Sequence, residues 1–263
     1  MELKRMLDGG RPLGTWLSLP SPGAAELLAG EGFDFVVVDT EHTPSTTETV
    51  ESILRAIDAA PGDTEGLVRL AWNDHVQVKR VLDTGPTGVM APRIDGADAA
   101  RDLVRAVRYP PQGAEADADG YRGRRGVGGG RAADYGRRLG DRVANANDDL
   151  AALAQIESPE GVDSAAEIAA VPGIDALFVG PADLSANLGA VHDYGTADFE
   201  AAIAETLAAG DDSGIPVGTL ALDAEGVDRW LDAGFDFVVA GTAAGFLSSG
   251  AERLRERYES RVE

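Results

Sequence analysis

Short apolar runs rich in Val, Leu and Phe alternate along this chain with segments of helical periodicity. The runs predict strands near 13–19, 33–39, 66–72, 88–94, 150–157, 176–181, 215–222 and 235–242. Between them, Val50, Ile53, Leu54 and Ile57 recur at i, i+3, i+4 and i+7. Ala100, Leu103, Val104 and Val107 do the same, and both sets predict one-faced helices. Gly32, Gly85 and Gly234 stand between a helical segment and the next run, where a left-handed residue turns the chain back toward a sheet. The runs are nearly continuous rather than alternating, which implies strands buried on both faces of a parallel sheet. Eight such strands with helices between them predict a (β/α)8 TIM barrel, one domain over residues 1–263. No GxGxxG follows the first run, so a dinucleotide-binding fold is disfavoured.

An internal echo supports the repeat. EGFDFVVVDT (31–40) and AGFDFVVAGT (233–242) share GFDFVV, and PGIDALFVGP (172–181) is a looser copy. One segment breaks the pattern: residues 109–148 are rich in Gly, Arg and Asp and have little apolar periodicity. A long loop is expected there, at about 110–148, covering the mouth of the barrel. Tyr121 to Arg125 would form an ordered lid or subunit contact within it, with disorder as the alternative.

Composition narrows the class. Apolar residues at 44% suffice for a core, and no apolar stretch approaches the roughly 18 residues of a membrane span. The start, MELKRMLDGG, lacks the apolar segment of a signal peptide, and Cys is absent, so a cytoplasmic protein without disulfides or thiolate sites is expected. There are 45 acids against 23 bases, a net charge of −22, and Lys4 and Lys79 are the only lysines. Such a surface repels nucleic acid. The acids are spread along the chain rather than gathered in a block, which favours adaptation to high salt over an acidic partner-binding tail.

Candidate chemistry collects at the predicted strand ends. QIESPEG and FVGPADLS deliver Glu157 and Asp183, 26 residues apart, to the starts of two successive loops. Two acids at the C-terminal ends of neighbouring strands can grip one hard divalent cation and leave its other positions open. The bland alternative, helix capping, is serious for Asp183 and weaker for Glu157, because Ser158 is the better cap. His42 follows the run ending VVVDTEH and is the one histidine of three on the predicted rim, so an imidazole base would be this one, its tautomer fixed by Asp39 or Asp83. Arg69 lies within LVRLAW, where a buried guanidinium needs an anion, a substrate carboxylate or a developing oxyanion.

These residues resemble the metal-dependent class II pyruvate aldolases, which include 4-hydroxy-2-oxoheptanedioate aldolase and 2-keto-3-deoxy sugar-acid aldolases and are relatives of the citrate lyase beta chain. The resemblance runs through VVVDTEHTP, LVRLAWNDHVQVKRVLDTG, VRYPPQG, RRGVG, QIES and FVGPADLS, in that order. It implies that Glu157 and Asp183 bind Mg2+ or Mn2+, with Co2+ a further option, and that pyruvate chelates the ion. His42 would be the base, Asp83 would raise its basicity, and Arg69 would steady the enolate. Gln155 and, in GPAD, Gly180, Pro181, Ala182 and Asp183 match substrate-contacting positions. The chain departs from the family pattern after VRYPPQG, where AEADADGYRG intervenes before the next match. The family also implies a homo-oligomer, a hexamer built as a trimer of dimers. The C-terminal run TAAGFLSSGAERLRERYESR is expected to be a helix burying Phe246, Leu247, Leu254 and Tyr258.

The expected activity is reversible cleavage of a 4-hydroxy-2-oxo acid to an aldehyde and pyruvate through a metal-bound enolate. Independently of the resemblance, Lys4 precedes the first strand and Lys79 lies in a helix, so neither is placed for a Schiff base. The rivals are a carbon–carbon lyase acting on an acyl-CoA, for which Arg122, Arg124, Arg125 and Arg131 would line the mouth, and a non-catalytic barrel serving as a binding or assembly protein. The charge balance carries its own prediction. Screening lengths shorten to about 3 Å at 1 M salt, relieving self-repulsion, so the melting temperature should rise between about 0.1 M and 2 M KCl. A flat or falling melting temperature would refute salt adaptation.

Overall fold

The structure is a computed structural model, and it describes residues 2–110 and 122–262. Eight parallel strands close into a barrel in sequence order: β1 Leu13–Leu17, β2 Phe35–Asp39, β3 Glu65–Arg69, β4 Gly88–Ala91, β5 Ala151–Ile156, β6 Ala176–Val179, β7 Val217–Ala221 and β8 Phe237–Thr242. Every sequence-expected strand overlaps one of these. Among the described residues, the one register irregularity falls between β1 and β8, at Gly14 and Trp16.

The period of two along each strand divides the core in two. Phe35 and Val37 on β2, Leu67 on β3, Leu153 on β5, Phe178 on β6 and Phe237 on β8 fill the barrel interior. Val36, Val38 and Val68 face outward, against the helices. The inner aromatic layer joins Trp16 to Phe178 and Phe178 to Phe237, with ring centroids 6.1 and 6.2 Å apart. Room for it comes from glycines: a Cβ on Gly218 would lie 2.2 Å from the Phe237 ring, and one on Gly14 2.5 Å from that of Phe35. A first helix, Glu2–Gly9, which the apolar pattern does not announce, closes the end where the strands begin by inserting Leu3 and Leu7 into the interior cluster. Lys4 on that helix pairs with Asp175 at 3.0 Å, far from any chemistry at the other end.

The helices follow the sequence closely. Val50, Ile53, Leu54 and Ile57 are the buried face of Thr47–Ala59, and Ala100, Leu103, Val104 and Val107 lie on that of Ala97–Val107. Gly32, Gly85 and Gly234 all adopt positive φ. The internal echo has a structural cause. Asp34, Asp175 and Asp236, the aspartates of the two GFDF copies and of GID, each accept a hydrogen bond from a backbone N–H at the start of the preceding strand, at Leu13, Ala152 and Val217, at 2.7 to 2.8 Å. The repeated aspartate thus ties each strand to its neighbour before the ladder begins.

Two expectations change. The 110–148 segment is not a bare loop, because it holds a 3-10 turn over Arg131–Gly136 and a helix over Leu139–Asp149. Nor does its described part cover the mouth. It follows the helix Ala97–Val107, so it belongs to the face where strands begin, and it binds there: Arg125 donates to the Leu82 carbonyl and Arg131 to that of Thr84. Residues 111–121, and Tyr121 with them, lie outside the described residues. The C-terminal helix forms over Ala243–Val262, but Phe246, Leu247, Leu254 and Tyr258 are exposed on it rather than buried. Among the described residues, no helix is long and apolar enough to cross a membrane.

Candidate active site

The inward phase of the strands carries past the aromatic layer and changes chemistry at the C-terminal rim. On β2 the inward positions 35 and 37 are followed by Asp39; on β3 Leu67 is followed by Arg69; on β5 Leu153 is followed by Gln155 and then Glu157. All four polar residues are buried. Asp39 and Arg69 are direct register partners on adjacent strands. Arg69 donates through Nε to Asp39 Oδ1 at 2.9 Å and through Nη2 to Oδ2 at 2.8 Å, a bidentate fork. Its Nη1 lies 2.8 Å from Glu41 Oε2, and its guanidinium stacks 4.6 Å over the Trp16 ring.

Burial alone would raise the Asp39 carboxyl, but the hydrogen bonds and charge of Arg69, with backbone N–H groups of Glu41 and His42, bring it below the ordinary range. Glu41 goes the other way: burial raises it, and the charges of Asp39 and Asp183 add to that, against Arg69. Glu157 is pushed up to about 7, first by burial and then by the charges of Glu41 and Asp183. Its Oε1 accepts from the Arg93 backbone N–H at 2.8 Å and its Oε2 from Gln155 Nε2 at 2.6 Å. Arg93 holds a left-handed backbone, φ 50°, to present that N–H. Gly180 fits closely above, since a Cβ there would lie 2.9 Å from Glu157 Oε2 and 2.8 Å from Gln155 Nε2. Gln155 Oε1 is buried without a partner.

Capping does not account for the two acids. Ser158, not Glu157, caps the following helix by accepting from the Gly161 N–H at 3.0 Å. Asp183 lies in the first turn of Pro181–Asn187, whose cap is Gly180 with no side-chain bond. The carboxylates therefore remain available to a cation. Among the described residues, no three of His, Cys, Asp and Glu come together to hold a metal by themselves. A cation on Glu157 and Asp183 would thus take few protein ligands, and it would relieve the charge crowding that raises Glu157.

His42 stands at the rim with its side chain 65% exposed and its Nε2 4.0 Å from Glu41 Oε2. The sequence leaves Asp39 and Asp83 open as its partners, and the structure commits Asp39 to Arg69. Asp83 follows the helix His75–Leu82, so it lies on the face where strands begin, beside Arg125 at 3.4 Å, and not with His42. Sequence reasoning missed Trp16, Glu41 and the Arg93 backbone. Glu41 had a readable signal, being the acid of the same DTEH turn.

Arg124, Arg125 and Arg131, three of the four arginines expected at a CoA-binding mouth, are not at the rim of their own barrel. Arg124 pairs with Asp102, Arg125 is buried against Tyr109, and Arg131 binds Asp58 and the Thr84 carbonyl. Arg122 lies on that same chain segment.

Burial of Glu157 implies a pH dependence. In metal-free protein the folded state keeps this proton to about pH 7, whereas the unfolded chain releases it near its ordinary value of 4.5. Stability should therefore fall as pH rises through that window, by roughly 3 kcal/mol in total from this group, and level off above it. Glu157→Gln carries no such charge, so urea unfolding in EDTA should show it gaining on the wild type between about pH 5 and pH 8. Parallel curves for the two proteins would contradict the burial argument.

Comparison with known proteins agrees with the geometry. A hydroxypyruvate/pyruvate aldolase of Paraburkholderia phytofirmans is 44% identical over 256 residues, 97% of this chain and 96% of that protein. A 4-hydroxy-2-oxo-heptane-1,7-dioate aldolase of Shigella sonnei is 39% identical, over 98% of this chain and 94% of its own. A crystal structure from Burkholderia cenocepacia, described as an HpcH/HpaI aldolase/citrate lyase family protein, superposes with a TM-score of 0.92 at 39% identity, covering 98% and 99% of the two chains. The family model for HpcH/HpaI aldolase/citrate lyase matches residues 13–249, from β1 into the last helix, and the chain belongs to that family.

Proposed function

We propose that the mouth of this barrel cleaves a 4-hydroxy-2-oxo acid reversibly to pyruvate and an aldehyde, the class II pyruvate aldolase reaction. The observation that carries this reading is the buried rim itself. One buried arginine, fixed by Asp39, shares the rim with a buried acid, Glu157, and an exposed one, Asp183, neither of which caps a helix, and both lysines lie at the other end of their own barrel. A divalent cation such as Mg2+ or Mn2+, held by Glu157 and Asp183, would supply the electron sink that aldol cleavage needs beside a ketone.

The side chains divide the remaining work. Arg69, preorganised by its fork to Asp39, offers positive charge where the enolate oxygen develops. Gln155, with its free Oε1, and the Gly180–Ala182 turn position the 2-oxo acid, and the missing Cβ at Gly180 leaves the space. His42 takes the proton of the 4-hydroxyl as the C3–C4 bond breaks. The bond's electron pair passes into the enolate, the aldehyde departs, and a proton returned to C3 gives pyruvate.

The support of that base requires a second chain. The resemblance assigns Asp83 to His42, whereas the fold puts Asp83 at the opposite end of its own barrel. Apposition of two copies, mouth to base, brings them together. The exposed apolar side chains of the C-terminal helix supply further surface for a homo-oligomer. Salt adaptation belongs to the same reading, supported by the dispersed net charge of −22.

Three measurements test these assignments. Prolonged EDTA should abolish turnover without unfolding the barrel, and Mn2+ or Mg2+ should restore it; full activity of metal-free protein, or inactivation by borohydride with pyruvate, sinks the class II assignment. Exchange of pyruvate methyl protons in D2O reports enolisation without any aldehyde. His42→Ala should slow it on the order of 10²–10⁴-fold with metal affinity intact. Arg69→Ala should cost a similar factor, and Arg69→Lys should recover only part of it because the fork is lost. Wild-type exchange in His42→Ala would show that His42 is not the base for enolisation. Finally, His42→Ala and Asp83→Asn chains, dissociated and reassociated together at equal amounts, should regain activity toward about a quarter of wild type, since random pairing rebuilds one intact site in each mixed dimer. Activity no higher than the average of the two variants places Asp83 outside the site.

A further inference from the structure

The inward phase that supplies the polar rim continues across β6 and β7, where it meets an apolar pocket. Gln155 and Ile156 pair with Phe178 and Val179, and Val179 pairs with Thr219. One step further along, Glu157, Gly180 and Leu220 stand level on three neighbouring strands. Gly180 has no side chain, and the Glu157 carboxyl leans over it, since a Cβ there would lie 2.9 Å from Oε2. That carboxyl is therefore about one strand spacing, roughly 5 Å, from β7. Leu220 is half-buried and packs against the interior cluster, so it faces into the mouth beside the acid.

Leu220 is also one wall of a cavity of about 160 Å³. Leu222, two residues on, lines the same cavity and is 60% exposed. Tyr194 and Trp230 form an aromatic wall, their ring centroids 5.5 Å apart. Trp230 Nε1 donates to the Leu220 carbonyl at 3.1 Å, which ties that wall to the strand. Phe199 backs Tyr194 at 5.2 Å, and Phe235 backs Trp230 at 5.7 Å. About 150 Å³ between apolar walls is enough for a benzene ring. The charged groups at the edge are Asp223, Glu225 and Arg229. Asp223 caps its helix by accepting from the Gly226 N–H at 2.7 Å, and Arg229 lies 5.9 Å over the Trp230 ring. Two acids against one arginine, close to Glu157 and Asp183, oppose entry of a carboxylate.

We propose that this cavity receives the tail of the aldehyde, the carbons beyond C4 of the 4-hydroxy-2-oxo acid, and that the tail is uncharged and apolar, an alkyl chain or an aryl ring. The inference rests on the aldolase reading of the mouth and adds the class of its second substrate. Two directions lead away from the cation site. Toward β2 and β3 lie Asp39, Glu41 and Arg69, bound to one another and offering an alkyl chain no apolar contact. Toward β7 the bare Gly180 is followed by Leu220, then by the exposed Leu222 and the aromatic wall. Exposed apolar side chains gathered beside a polar site mark a surface that a ligand covers.

Aldol addition by the full chain loaded with Mg2+, using pyruvate with acetaldehyde, propanal, butanal or pentanal, tests the assignment. kcat/KM should rise along the series by up to about fourfold per methylene, the worth of one buried CH2. Butanal should exceed succinic semialdehyde, its four-carbon counterpart with a carboxylate, by on the order of 10-fold. Leu222→Ala should flatten the series, and Leu222→Arg should reverse the choice between butanal and succinic semialdehyde. A flat series in the wild type, a preference for succinic semialdehyde, or an unchanged series in Leu222→Ala overturns the proposal. So does a crystal of the Mg2+–pyruvate complex with a side chain of a second copy filling the cavity. Exchange of pyruvate methyl protons needs no aldehyde and separates this inference from the reading beneath it. Exchange with a flat series removes the pocket alone, and absent exchange removes the aldolase reading and the pocket with it.

Discussion

Arg69 is the charge around which the mouth of this barrel is organised. Four carboxylates, Asp39, Glu41, Glu157 and Asp183, influence one another at the rim, and Arg69 is the cation that offsets them at Asp39, Glu41 and Glu157. Its geometry decides how the offset is shared. The fork to Asp39 is bidentate and aligned, whereas the approach to Glu41 at 2.8 Å leaves Glu41 Oε2 without a hydrogen bond. Asp39 is consequently held ionised, and Glu41 and Glu157 are left raised. The asymmetry separates a structural acid from acids free to meet a cation or a substrate, and the Trp16 face beneath the guanidinium keeps it from tilting toward either side.

That arrangement follows from strand phase, which is why so much of it could be read from the chain. Val, Leu and Phe at alternate inward positions give way to Asp39, Arg69 and Gln155 without any change of register, and Glu157 continues the same phase one step further. Once eight strands are placed in order, the inward residue at each C-terminal end is fixed by counting in twos. The pairing of Asp39 with Arg69 is equally implicit, because adjacent strands put them in register, but motifs read separately leave Asp39 and Asp83 both open as partners of the histidine. The roles of Arg93 and Trp16 were less accessible. The first acts through a backbone N–H in a left-handed turn, and the second through a ring two strands away, and neither leaves a mark in local periodicity.

The misplaced lid has a topological cause. In a βα repeat, whatever follows a strand lies at the mouth and whatever follows a helix lies at the base. The 110–148 segment falls between strands four and five in the sequence, but the helix Ala97–Val107 intervenes, so the described part of the segment belongs to the other face. The same rule removes Asp83 from the mouth of its own barrel, which is why the proposed site draws that residue from a second copy. The C-terminal helix points the same way, since its periodicity correctly foretold a helix but its apolar side chains find no cover on their own barrel.

Charge separates the two ends of the molecule as clearly as topology does. At the mouth, the buried acids Asp39 and Glu157 outnumber the one buried arginine, so the buried part of the site is short of positive charge. At the base, Arg125 and Arg142 are buried with donors to spare, so that end is short of negative charge. In a chain of net charge −22 the second deficit is the less expected one, because acids are abundant and yet Nε and Nη2 of Arg142 find no hydrogen-bond acceptor among the described residues. Evolution of a surface toward carboxylate does not by itself satisfy a buried guanidinium, which needs an acceptor within about 3 Å and in line with its N–H bonds. The general field of the surface and the local bonding of a buried group are thus independent constraints, and a chain can be saturated in the first while still open in the second.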